Sequence, residues 1–89
     1  PPLPVIVGQV LSHQPAEKAG IQVGDRIIAL NGQPVHDWQK MVNTIQKTIG
    51  KPVVLTIERK GEQQKITVFP ETKKNNEGKM VGMIGVQSQ

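Results

Sequence analysis

The chain has 89 residues, 36% of them hydrophobic, a formal net charge of +4 and no cysteine. That is enough apolar content for one core, near the lower size at which domains fold without staples, and it excludes a disulfide framework and a thiolate metal site. The basic residues are scattered from Lys18 to Lys79 and are not interleaved with Trp38 and Phe69, the only Trp and Phe of a chain without Tyr. The stacking platform and charged stripe of a nucleic-acid binder are therefore missing.

Pro1 to Pro4 reads as a linker. It lacks the charged and apolar regions of a signal peptide and an initiator methionine, so the chain is expected to be a piece of a longer protein. No apolar run approaches the roughly 20 residues of a membrane span. Val5 to Leu11, β-branched and apolar, predicts a strand, and Pro15 to Gly20 predicts one helical turn opened by proline and closed by glycine. Gly24-Asp25 is a turn, Arg26 to Leu30 a short buried strand, and Asn31-Gly32 a turn tolerant of positive φ.

At Asp37 the period changes. Asp37 suits an N-cap, and Trp38, Met41, Val42, Ile45 and Ile49 fall on one face of an amphipathic helix stopped by Gly50 and Pro52. Val53 to Arg59 and Gln63 to Val68 flank Lys60-Gly61 as a hairpin. Pro70 to Lys79, polar and glycine-containing, reads as an exposed loop, and Val81 to Gln87 as a closing strand. The expected fold is α+β but mainly β: a small barrel or sandwich of five to six strands with one short and one longer helix. The domain is expected over 5–87, with 88–89 as a tail.

Pro15 to Val35, with its Ala19-Gly20, Gly24-Asp25, aliphatic strand and Asn31-Gly32, resembles the signature of PDZ domains. Met83-Ile84-Gly85-Val86 resembles the loop with which those domains hold the free carboxylate of a peptide C-terminus. Successive backbone N–H groups beside a glycine can form such an anion site. The loop closes this chain instead of opening it, so the resemblance is to the circularly permuted bacterial arrangement. It implies a peptide-binding module in which Met83, Ile84, Gly85 and Val86 receive an added strand and Trp38, Val42 and Ile45, which share a helix face, line the opposite wall. No histidine opens the helix stripe, since His36 precedes it, which implies a mostly hydrophobic ligand preference.

Asn31 to Val35, Asp37-Trp38, Ile57-Glu58-Arg59 and Gly78 to Val86 are similar to the second periplasmic PDZ domain of the sigma-E-regulating proteases, which are site-2 zinc metalloproteases of the bacterial inner membrane. The resemblance implies a non-catalytic domain on the periplasmic face, beside a neighbouring PDZ domain and a membrane protease domain. Its parent would hold zinc and cut an anti-sigma factor by regulated intramembrane proteolysis, with this domain recognising or gating the substrate. PDZ domains of serine or tail-specific periplasmic proteases, and a non-binding steric spacer, are the rival readings. The chain's own residues offer no catalysis: His13 and His36 lack metal-motif spacing, and Ser12 and Ser88 lack a nucleophile setting. No cofactor or metal is expected within the domain.

Overall fold

A computed structural model describes residues 3–89; Pro1 and Pro2 of the expected linker lie outside the described residues. In chain order the elements are β1 (Val7–Val10), α1 (Pro15–Ala19), β2 (Arg26–Leu30), β3 (Gln33–Pro34), α2 (Trp38–Gln46), β4 (Val53–Arg59), β5 (Glu62–Val68), β6 (Glu71–Lys74), β7 (Met80–Met83) and β8 (Val86–Ser88). They form a four-stranded antiparallel sheet in the order β3-β2-β4-β5 and two ribbons, β1-β8 and β6-β7. No described helix is long and apolar enough to cross a membrane.

Alternation builds the core. Val53, Leu55 and Ile57 point inward from β4, while Val54, Thr56 and Glu58 between them are half-buried. Val7, Ile27 and Val68 join that layer, and Met41 and Ile45 close it from α2. The two turns of the main sheet suit their sequences: Asn31-Gly32 and Lys60-Gly61 all have positive φ, as two-residue hairpins of this twist require. Asp37 caps α2 by accepting a hydrogen bond from the Lys40 N–H at 2.9 Å.

Three expectations need correction. Pro70 to Lys79 is not all loop: Glu71–Lys74 pairs with Met80–Met83, and Asn75 closes the hairpin by accepting the N–H groups of Glu77 and Lys79 on its side chain. Polar residues fill β6 because most of it faces water, so no apolar alternation marks that strand. The closing strand breaks at Ile84-Gly85 into β7 and β8, which belong to different ribbons. Finally, α2 stops at Gln46, and Ile49 lies beyond it with 43% of its surface exposed. The Thr48 N–H already closes a tight turn onto the Ile45 carbonyl. The C-terminal residues remain engaged: Ser88 lies in β8, and the Gln89 N–H donates to the Ile6 carbonyl.

One buried ion pair ties the sheet to α1. Asp25 is 1% exposed, and Arg59 reaches it with two hydrogen bonds, Nε to Oδ1 at 2.8 Å and Nη2 to Oδ2 at 2.7 Å. The same Nη2 donates to the Gly20 carbonyl at the end of α1, and the Gln22 N–H donates to Asp25 Oδ2. Burial alone would raise the Asp25 carboxyl, but the Arg59 and Gln22 hydrogen bonds outweigh it and hold the pKa below the ordinary 3.8. Because the folded pKa is depressed, this stabilisation is present above the unfolded value and is lost as pH falls through the folded one. Asp25→Asn should lower stability at neutral pH by about 3 kcal/mol in urea denaturation, since it leaves Arg59 without its charge partner. The gap from the wild type should narrow below about pH 4; a gap independent of pH would contradict the role of the charge.

Candidate functional site

The break between β7 and β8 creates the site. Gly85 takes φ of 82°, which reverses the chain, and a Cβ there would collide with the Gln14 side chain. Two backbone hydrogen bonds fix the loop from behind: the Ala16 N–H, in the first turn of α1, donates to the Ile84 carbonyl at 2.8 Å, and the Leu11 N–H donates to the Gly85 carbonyl at 2.9 Å. The carbonyls of the loop are thus held by the protein. Its N–H groups are not: among the described residues, neither Ile84 nor Gly85 donates to another backbone group.

The pairing of β1 with β8 decides which way the next strand faces. The Leu11 N–H on the Gly85 carbonyl sets the phase, with Val10 opposite Val86 and Gln9 opposite Gln87. Bonded and non-bonded pairs alternate along an antiparallel ribbon, so Val86 points its N–H and C=O away from β1. A register shift at Gly8 places Ser88 opposite Val7, and the Gln89 N–H on Ile6 makes the adjacent pair the bonded one. Ser88 therefore also faces outward. The outer edge of β8 presents the backbone groups of Val86 and Ser88 next to the free loop amides.

Opposite this edge stands α2. Between them lies a cavity of about 180 Å³ lined by Leu11, Val42, Ile45, Met83, Ile84 and Val86, with Gln46 and Gln87 supplying the polar side chains. Gly82 sets the spacing of its walls. A Cβ at this position would lie 2.5 Å from the Thr48 carbonyl oxygen and 2.6 Å from that of Ile45, so β7 touches the end of α2 backbone to backbone. Ile84 is buried as the floor, whereas Met83 is 41% exposed at the rim.

The structure brings Met83, Ile84, Gly85, Val86, Val42 and Ile45 to one cavity. Trp38 is not in its lining; the indole, at the first residue of α2, is half-buried against the core. Leu11, Gln46 and Gln87 are lining residues that sequence reasoning missed. Leu11 follows a strand and Gln46 is polar, so no pattern singles them out. His13 and His36 lie in separate cavities, and no three of the described His, Asp and Glu residues converge on a point where a metal could bind. The described residues do not fit a zinc ion.

Residues 3–69 match the PDZ domain family, which is most of the chain. The chain belongs to the PDZ family. Its ligand-type loop at Met83 to Val86 lies beyond the matched residues. Among relatives, the regulator of sigma-E protease RseP of Salmonella typhimurium is 41% identical over 86 residues, covering 97% of this chain and 19% of that protein. Zinc metalloprotease RasP of Geobacillus kaustophilus is 38% identical over 81 residues, covering 91% of this chain and 19% of that protein. The chain thus spans about a fifth of the length of these relatives. The crystal structure of the PDZ domain of the SdrC-like protein from Listeria innocua superposes with a TM-score of 0.75 at 25% identity, covering 97% of this chain and 93% of that one.

The width of this PDZ groove rests on the contact at Gly82. Gly82→Ala should destabilise the domain by about 1–3 kcal/mol, because two backbone oxygens would have to give way to one methyl group. A denaturation midpoint equal to that of the wild type would show that β7 and α2 do not meet as described.

Proposed function

We propose that this PDZ domain recognises an extended peptide, which adds as a strand to the outer edge of β8 and ends at the Ile84-Gly85-Val86 loop. The outward-facing backbone of Val86 and Ser88, beside two undonated loop amides, is the observation that carries this reading. In it the amides of Ile84, Gly85 and Val86 donate to the terminal carboxylate, and the Val86 carbonyl accepts the N–H of the ligand's last residue. Val42, Ile45, Ile84 and Leu11 take the last side chain, and the lining holds no charged group to favour an ionic one. Trp38 sits further along the helix face, where upstream ligand residues would pass.

The site belongs, in this reading, to a larger site-2 zinc metalloprotease of the bacterial inner membrane, with the domain on the periplasmic face. The identity to RseP and RasP over nearly the whole chain supports that context. Zinc and catalysis would reside in the remainder of the parent. This domain would recognise or gate a substrate trimmed by an earlier cut, such as an anti-sigma factor, alongside a neighbouring PDZ domain. The position of the ligand loop at the end of the chain, outside the 3–69 match, supports a circularly permuted arrangement.

A single peptide contact of this size supports binding of about micromolar strength or weaker. A peptide ending in Val should bind as the free acid at least about tenfold more tightly than as the amide, the value of charge-assisted hydrogen bonds to the loop. Calorimetric titration of both forms tests this, and equal affinities would refute carboxylate recognition.

A further inference from the structure

The main sheet has a second open edge, on the opposite side of the molecule's strand order from β3. Residues Lys60 and Gly61 form a two-residue turn with φ of 52° and 79°, so the flanking Arg59 and Glu62 form a bonded pair. Alternation then makes Val54–Thr67, Thr56–Lys65 and Glu58–Gln63 the non-bonded pairs. Val54 confirms the phase independently: its N–H and C=O both bond to Asn31, on the side of β2. Gln63, Lys65 and Thr67 accordingly turn their backbone groups to the outside, where no described backbone group pairs with them. All three residues are exposed.

The two edges of this sheet are treated differently. At β3 a two-residue strand containing Pro34 leaves little to pair with. β5 runs for seven residues, Glu62–Val68, without proline. Where it ends, α1 packs beside it, and a cavity of about 530 Å³ opens there, lined by His13, Pro15, Lys18, Ala19, Thr67, Phe69 and Glu71. Phe69 is 68% exposed there.

Charge indicates what would fit. Across the exposed face, one row of facing residues reads Arg26, Glu58, Gln63, in which the acid meets a base. The next reads Ala29, Thr56, Lys65, and places no acid beside Lys65. Among the described residues Arg59–Asp25 is the ion pair, so Lys65 is without a carboxylate partner, whereas the cavity's Lys18 shares its lining with Glu71. A strand laid against β5 would seat a residue directly opposite Lys65, and an acid there would complete the row. We propose that the β5 edge is a second strand-docking site, taking an extended acidic segment of a partner protein antiparallel to β5, with a carboxylate opposite Lys65 and an apolar side chain about four residues earlier entering the cavity beside Phe69.

This site does not depend on the groove at β8, and a peptide blocked at both ends separates the two. The probe is an acetylated, amidated peptide of about seven residues alternating Thr and Val, with Glu at the position opposite Lys65; a second probe carries Lys instead. Amide NMR titration at millimolar peptide should shift Gln63, Lys65 and Thr67 and leave Val86 and Ser88 in place. The Glu probe should bind about threefold or more tightly than the Lys probe, and Lys65→Glu should reverse that order. Thr67→Pro, tolerated on an outward-facing edge position, should abolish binding while the fold is retained. The proposal is overturned by shifts at β8 alone, by no shift at β5, or by an order of probes that Lys65→Glu leaves unchanged. Concentration-dependent broadening of the β5 amides without peptide would also overturn it, assigning the edge to a second copy of the chain.

Discussion

The candidate groove depends on how the first turn of α1 holds the last apolar segment of the chain. The Ala16 N–H on the Ile84 carbonyl and the Leu11 N–H on that of Gly85 hold the apolar run from Val81 to Gln87 at its middle. Held there, with Gln14 filling the space a side chain would need at Gly85, the segment turns and starts a new ribbon. The carbonyls are consumed by the protein and the amides are left over, which is the polarity an anion site needs. α1 is itself held at its other end, where Arg59 reaches both Asp25 and the Gly20 carbonyl. The buried ion pair and the ligand-type loop thus lie at opposite ends of one short helix.

Width and edge are then set by close contacts and not by side-chain choice. Gly82 lets β7 meet the Ile45 and Thr48 carbonyls at the end of α2, which fixes the distance from the helix to the loop. The register of β1 on β8 turns Val86 outward, and Ser88, two residues on, keeps that side because the extra residue at Gly8 is absorbed on β1. The groove is consequently a property of backbone placement, and its apolar lining tunes what it can hold.

Much of this fold was legible in the sequence because its signals are local. Asn31-Gly32 and Lys60-Gly61 are turn dipeptides, Asp37 is a cap, and the inward alternation of Val53, Leu55 and Ile57 marks a strand. The ribbon Glu71–Lys74 was not legible, since a strand that faces water carries no hydrophobic period. Nor was the end of α2, where Ile49 continues the apolar spacing although the backbone has already tightened at Thr48. Of the site, the loop and the wall residues Val42 and Ile45 were readable from resemblance and helix spacing. The roles of Leu11, Gln46 and Gly82 arise from tertiary approach between distant segments, which a single sequence does not encode by pattern. The outward phase of β8 is likewise a consequence of register.

In the proposed binding mode β8 offers alternate backbone groups to a ligand strand, and amide hydrogen exchange reads this residue by residue. On saturation with a peptide ending in Val, the Val86 and Ser88 amides should slow, while Gln87, paired with Gln9 on β1, should change little. Uniform slowing across β8, or protection of Gln87 alone, would contradict a strand added to this edge.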